Sequence, residues 1–357
     1  MKLFTLLLLC ICARAVYADV DEYQQNVAQV LRGSTNVVPL KVDAPVYPKR
    51  ALQRGIEGWV VLRFVVKTDG TTDDIEVFES SIEDYFDEAA IEAARNRIYQ
   101  PATIDGKPVM QGNVFLRSVF QMEEFDGGVG RSFLSSYRDA SEALDDDELD
   151  LAKSLIDKLD AKEKRVLAEV CYLDMLKARY FSITGNNKET LRHVERALVV
   201  ADSAASKPIY INLLKQAIVD NGRANNYQAS LKHYETLLEV DKKLAPNDPV
   251  RDYVKRVKLV LNSDASIQSM GEVSHSCETC DDKKGFWWHV LNRNHFYIDQ
   301  VVGQLSEITV VCQNSSVTFD FSPETAWTVN KEGGDCSIKV FGEKQTTFQL
   351  VELANES

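Results

Sequence analysis

Cys277-Glu278-Thr279-Cys280 is the local pattern in this chain whose residue types and spacing could perform chemistry. Thiol-disulfide exchange needs the first thiol held as a thiolate, usually where a strand leads into a helix amino terminus. Here Gly271 to His275 precede the pair and Asp281-Asp282-Lys283-Lys284-Gly285 follow it, so no strand leads in. The acidic pair raises a thiol's pKa rather than lowering it. Zinc is the second chemistry, with His275, His289 or His295 joining Cys277 and Cys280. A structural zinc site wants two knuckle-like ligand pairs, and the second is missing. A structural disulfide is the remaining reading. Among three possible connectivities of Cys277, Cys280, Cys312 and Cys336, the preferred one joins Cys277 to Cys280 and Cys312 to Cys336. Cys312 and Cys336 border strand-like runs, which suits a staple across a small sheet.

The other reactive residue types read as structure. His193 and His233 sit beside Lys, Arg and Glu at matching places in an internal repeat, the pattern of a solvated helix face. Asp145-Asp146-Asp147-Glu148 reads as an acidic helix start favoured by the macrodipole, not a calcium loop. Cys171, inside an apolar helical stretch, reads as a small buried hydrophobe. Neither a Gly-rich phosphate loop nor a local Ser-His-Asp motif is present. The expectation is a protein without catalytic residues, metal or cofactor.

A chain of 357 residues exceeds one ordinary domain, and its formal net charge of −13 sets it against nucleic acid and anionic lipid, which need Lys and Arg to neutralise phosphate. Lys2 and the apolar run from Leu3 to Ala13, followed by Val16-Tyr17-Ala18, read as a signal peptide over residues 1–18, giving a mature start near Asp19. Arg14 interrupts the run, and it falls short of the ~20 apolar residues a span requires. The expected compartment is the periplasm, with inner-membrane anchoring as the alternative if the segment is retained.

Three segments follow. Residues 19–126 mix strands and short helices. Lys49 to Gln53 predicts a short helix stopped at Gly55; Trp59 to Val66 and Asp74 to Phe78 predict strands joined at Asp69-Gly70; Tyr85 to Ile98 predicts a helix; Val114 to Gln121 predicts a strand. Along that strand Val114, Leu116, Ser118 and Phe120 alternate against Phe115, Arg117 and Val119. Residues 127–265 are helical, with Leu191-Arg192-His193-Val194-Glu195 repeated as Leu231-Lys232-His233-Tyr234-Glu235 after turns following Gly185 and Gly222. Hairpins near 132–160, 163–204 and 207–243, closed by a helix after Pro249, predict a short tetratricopeptide-like solenoid. Residues 266–357 predict a small β domain of four to six strands. The fold class is multidomain α+β: an α/β module, a helical solenoid and a disulfide-stapled β domain.

The order and spacing of Tyr47-Pro48, Gly55, Glu57-Gly58, Asp69-Gly70, Ser80, Phe86, Ala89-Ala90, Pro101-Ala102, Gly106-Lys107 and Phe120 resemble the carboxy-terminal domain of TonB-family energy transducers. Arg97 departs from the family, which often has Trp there. The resemblance implies a partner, a TonB-dependent outer-membrane transporter or another envelope protein, bound by strand addition. It implies that Val114, Phe115, Leu116, Arg117, Ser118 and Val119 form the pairing strand. The expected function is a periplasmic TonB-like adaptor. The alternatives are an envelope scaffold or assembly protein without an energy-transducing role, and a thiol-disulfide redox protein using Cys277 and Cys280.

Overall fold

In the computed structural model, which describes residues 36–82, 85–122, 128–162, 164–276, 285–329 and 335–354, the first elements follow the punctuation of the sequence. Helix α1 (Lys49–Arg54) stops at Gly55, whose left-handed φ of 65° returns its N–H to the helix carbonyls. Strands β2 (Gly58–Val66) and β3 (Thr72–Ser80) are joined through Asp69-Gly70. Gly70 has φ 83°, and a Cβ there would lie 2.0 Å from the Tyr99 carbonyl oxygen, so only glycine fits this turn. Helix α2 (Asp87–Arg95) is shorter than the span from Tyr85 to Ile98, because Ile98 leaves it to pair with a strand. That strand is β1 (Val38–Lys41), against β4 (Ile98–Gln100). Strands β5 (Ala102–Ile104) and β6 (Lys107–Val109) form a hairpin whose turn residues Asp105 and Gly106 both have positive φ. Strand β7 (Gln111–Phe120) begins three residues before the expected start and completes an antiparallel sheet of order β3-β2-β7.

Alternation along these strands gives the sheet two faces. On one, Val60, Leu62, Phe64, Leu116 and Phe120 pack with Ala51, Phe86, Ala90 and Tyr99. Phe86 and Phe120 stack at 4.5 Å, with Tyr47 edge-on to both. On the other face, Trp59, Val61 and Val119 join the core of the helical segment.

That segment comprises α3 (Arg131–Asp145), α4 (Leu149–Asp160), α5 (Leu167–Ile183), α6 (Asn187–Ala204), α7 (Lys207–Arg223), α8 (Tyr227–Val240) and α9 (Pro249–Leu261). The helical hairpins fall close to the spans that periodicity indicates. The repeat pairs α6 with α8, and the left-handed turn residues before them are Gly185 and Asn225. Gly222 is instead buried inside α7, where a Cβ would lie 2.3 Å from the Tyr253 hydroxyl. No helix among the described residues is long and apolar enough to cross a membrane. The expected signal peptide at 1–18 lies outside the described residues.

The carboxy-terminal strands number more than the expected four to six. They are β8 (Ile267–Glu272), β9 (His275–Ser276), β10 (Gly285–Val290), β11 (His295–Val302), β12 (Leu305–Val311), β13 (Ser316–Asp320), β14 (Ala326–Thr328), β15 (Ser337–Gly342) and β16 (Thr347–Leu353). Two antiparallel sheets, of order β13-β12-β15-β10-β9 and β14-β11-β16-β8, share one core. Ile308, Val310, Ile338 and Val340 meet Phe296, Ile298, Phe348 and Leu350 there. Strands of two or three residues, such as β9 and β14, carry too little alternation to be read from sequence.

Candidate functional site

Strand β7 lies at the sheet's edge, hydrogen-bonded to β2 on one side from Gly58↔Phe120 to Val66↔Gln111. Among the described residues, the main-chain groups of Val114, Phe115, Leu116, Arg117, Ser118 and Val119 hydrogen-bond to no backbone other than that of β2. The strand's start is held from outside. Gly112 N–H donates to the Gln313 carbonyl at 3.1 Å, and the Asn113 amide donates to the Val311 carbonyl at 2.8 Å. Ser337 Oγ in turn donates to Asn113 Oδ1 at 2.8 Å. A Cβ on Gly112 would lie 2.4 Å from Val311, so glycine is needed for this close approach. Asn113, at φ 54°, sits where the β2-β7 register shifts. The pinned start leaves residues 114–119 as the open stretch.

The predicted alternation is present in three dimensions. Val114, Leu116 and Phe120 turn towards α1 and α2. Phe115 turns to the opposite face, where it meets Phe78 and Trp288, and Arg117 binds Asp202 and the Val199 carbonyl of α6. Ser118 is buried. Sequence reasoning missed Phe78, Trp288 and Asp202, because they reach the strand from three other elements. Their trace in the sequence is the Trp287-Trp288 doublet, whose residue types by themselves indicate only a strand.

Buried charge fixes this strand's surroundings. The carboxylate of Glu57 is 1% exposed; Oε1 accepts from Met122 N–H and Oε2 from Leu167 N–H, both at 2.9 Å. Leu167 opens α5, whose own cap residue, Val166, offers no side-chain hydrogen bond, so Glu57 caps a helix of another segment. Burial, with the Glu57 charge added, pushes the Tyr47 phenol up to about 12. Its hydroxyl donates to the Ile56 carbonyl at 2.6 Å. Arg196 of α6 reaches Glu79, the Ser80 and Ser81 carbonyls and Asp174, and lies over Trp59. Under the other end of the sheet, Glu76 accepts from Arg63 and from Lys339 of β15. Burial lowers the Arg63 pKa, opposed by Glu76.

The histidines correct the solvated-face expectation. His193 is buried, 2.7 Å from Asp174 and stacked on Phe181; His233 lies 2.9 Å from Glu195. His193 binds a carboxylate on α5, the helix before its own, and His233 binds one on α6, two helices back, so neither partner is visible in linear order. Asp145-Asp146-Asp147-Glu148 spans the junction between α3 and α4, so that Glu148 is the cap residue opening α4 while Asp145 ends α3 and pairs with Arg179. Cys171 is buried, and burial pushes its thiol up to about 12. Cys312 and Cys336 are joined, their Cα atoms 4.0 Å apart at the ends of neighbouring strands β12 and β15. Cys277 and Cys280 lie outside the described residues.

Residues 43–114 match the family model described as Gram-negative bacterial TonB protein C-terminal. This match takes in β2, β3, α2 and the start of β7; residues 115–119 lie beyond it. Protein TonB of Pseudomonas aeruginosa is 40% identical over 88 residues, covering 24% of this chain and 26% of that protein. Protein TonB of Helicobacter pylori strain J99 is 36% identical over 69 residues, covering 18% and 25%. This chain thus spans about a quarter of the length of these curated relatives. A solution NMR structure of the Pseudomonas aeruginosa TonB CTD is 32% identical, covering 26% of this chain and 91% of that one, with a TM-score of 0.23. A structure of the TonB2 protein from Vibrio anguillarum is 36% identical, covering 25% and 84%, with a TM-score of 0.22.

Proposed function

We propose that this protein is a non-enzymatic adaptor of the bacterial periplasm that binds an extended segment of an envelope protein along β7, with a TonB-dependent outer-membrane transporter as the partner. The observation that carries this reading is the edge of β7 at residues 114–119, which among the described residues is paired to β2 alone. An incoming strand would extend the sheet to four strands, its main-chain groups supplying affinity as in other strand-addition complexes. The TonB-like character of residues 43–114 supports the choice of partner. The helix pairs are read as a tetratricopeptide-like scaffold, and the two carboxy-terminal sheets as a stapled domain, which together would hold the module and offer a second partner a surface.

The test is amide hydrogen exchange on the full chain, with and without a synthetic peptide copying the periplasmic-facing amino-terminal segment of a TonB-dependent transporter. Slowed exchange across residues 114–119 is expected. Slowed exchange elsewhere with none at β7 would sink the pairing mode.

A further inference from the structure

Main-chain pairing reads little sequence, so a strand-adding protein needs side chains beside its edge to choose a partner. The second face of the β3-β2-β7 sheet carries such side chains. Phe115 meets Phe78 of β3 at 5.2 Å and Trp288 of β10 at 6.2 Å, and Phe78 meets Trp288 at 5.1 Å. These contacts lie inboard of β7, since β3 is beyond β2 and Trp288 lies over Arg63 of β2 at 5.1 Å. Phe115 nevertheless remains 42% exposed. A lone exposed ring is ordinary, whereas three in mutual contact beside an unpaired edge form a surface. Two residues along, Arg117 donates three hydrogen bonds to Asp202 and the Val199 carbonyl. A guanidinium has about five N–H donors, so about two remain.

We propose that Phe115, Phe78 and Trp288, with Arg117 beside them, select the segment that pairs with β7: an extended peptide bearing a large apolar or aromatic residue opposite Phe115 and an acidic residue opposite Arg117. This rests on the pairing reading of the preceding section. Residues opposite one another on adjacent strands project to one face with Cβ atoms roughly 4.5–5.5 Å apart, so the first residue covers the open side of Phe115. The next residue on that face, two positions away, reaches the free donors of Arg117, where a carboxylate gains a charge-assisted bond and a cation is repelled. Trp288 belongs to the carboxy-terminal sheets, so the selecting surface is built jointly by two segments of the chain.

The experiment uses the full chain and two short synthetic peptides of alternating Thr and Val. One carries Phe at its centre and Asp two residues on; the other carries Ser and Lys at those places. Titration calorimetry gives the affinity ratio, and amide exchange reports on residues 114–119. The Phe/Asp peptide is expected to bind about tenfold tighter, the size of effect one buried aromatic anchor can supply. Phe115→Ala and Trp288→Ala are each expected to bring the ratio down several-fold while exchange protection at β7 persists. Trp288→Phe is expected to restore most of it. Because Phe115 is part-exposed, F115A carries the test even if Trp288→Ala fails to fold. Protection by both peptides with a ratio near one, or a ratio that neither substitution moves, overturns the selecting surface and spares the pairing. Absence of protection with either peptide overturns the pairing reading itself.

Discussion

Glu57 shows how one buried side chain can join two segments. Its two oxygens satisfy two backbone N–H groups that would otherwise be buried without acceptors. Each such orphan costs about 1–3 kcal/mol, so Glu57→Ala is expected to lower stability by roughly 2–6 kcal/mol in denaturant unfolding followed by tryptophan fluorescence. Glu57→Gln keeps one acceptor and should lose less. Asp174 makes a second residue-scale prediction. Its burial acts to raise its pKa, but Arg196 and His193 more than offset that, so the folded value is depressed. A depressed carboxylate stabilises the fold at neutral pH and loses that contribution as pH falls through its folded pKa. Glu195 beside His233, and Glu352 beside His289, follow the same sign. The urea midpoint is therefore expected to hold steady above about pH 5 and fall steeply below the ordinary carboxylate range of about 4. In Asp174→Asn the acid slope should flatten, and an unchanged slope would count against this pairing.

At the scale of elements, β7 and the Cys312–Cys336 staple are coupled. The disulfide closes 24 residues of chain between neighbouring strands, and the carbonyls of Val311 and Gln313 on either side of Cys312 hold Asn113 and Gly112. Chain-entropy reasoning gives such a loop roughly 3–4 kcal/mol. Replacing both cysteines by Ala is expected to destabilise the carboxy-terminal sheets by about that amount and to speed amide exchange at Gly112. Exchange at β2-paired amides in the middle of β7 should change little, since those bonds lie within the sheet. The elements themselves were largely legible: α1 from its Gly55 stop, the β2-β3 turn from Asp69-Gly70, and β7 from its alternation. Missed were the short strands β9 and β14 and the early start of β7 at Gln111, where a bulge at Asn113 breaks the period of two.

The whole molecule is held by ion pairs and aromatic contacts between segments. Arg196 binds the amino-terminal module from α6, while Lys339 reaches Glu76 from β15. Arg293, 1% exposed, donates from the carboxy-terminal sheets to the Val260, Ser263 and Ala265 carbonyls at the end of α9. Removing one member of a buried ionic cluster leaves uncompensated charge and typically costs about 3–5 kcal/mol. Glu76→Gln removes the carboxylate charge facing buried Arg63 and leaves Lys339 only its 3.4 Å contact with Asp74, and is expected to fall in that range. Combining Arg196→Ala with Glu57→Ala should split thermal unfolding by calorimetry into separate transitions for the module and the helices. A single transition in that double variant would show that the apolar contact of Trp59, Val61 and Val119 with the helices suffices to couple them.

Local patterns in the sequence determined the longer strands and helices, the repeat that places His193 and His233 alike, and the TonB-like order of residues 47–120. They could do so because turn chemistry and periodicity act within a few residues. The tertiary structure alone decided that both histidines pair with carboxylates, His193 fully buried and His233 partly so, that the sheet's second face is covered, and that Phe78, Phe115 and Trp288 meet. Those contacts join residues up to about two hundred positions apart, and their energy comes from excluding water between surfaces that exist only once each segment has folded.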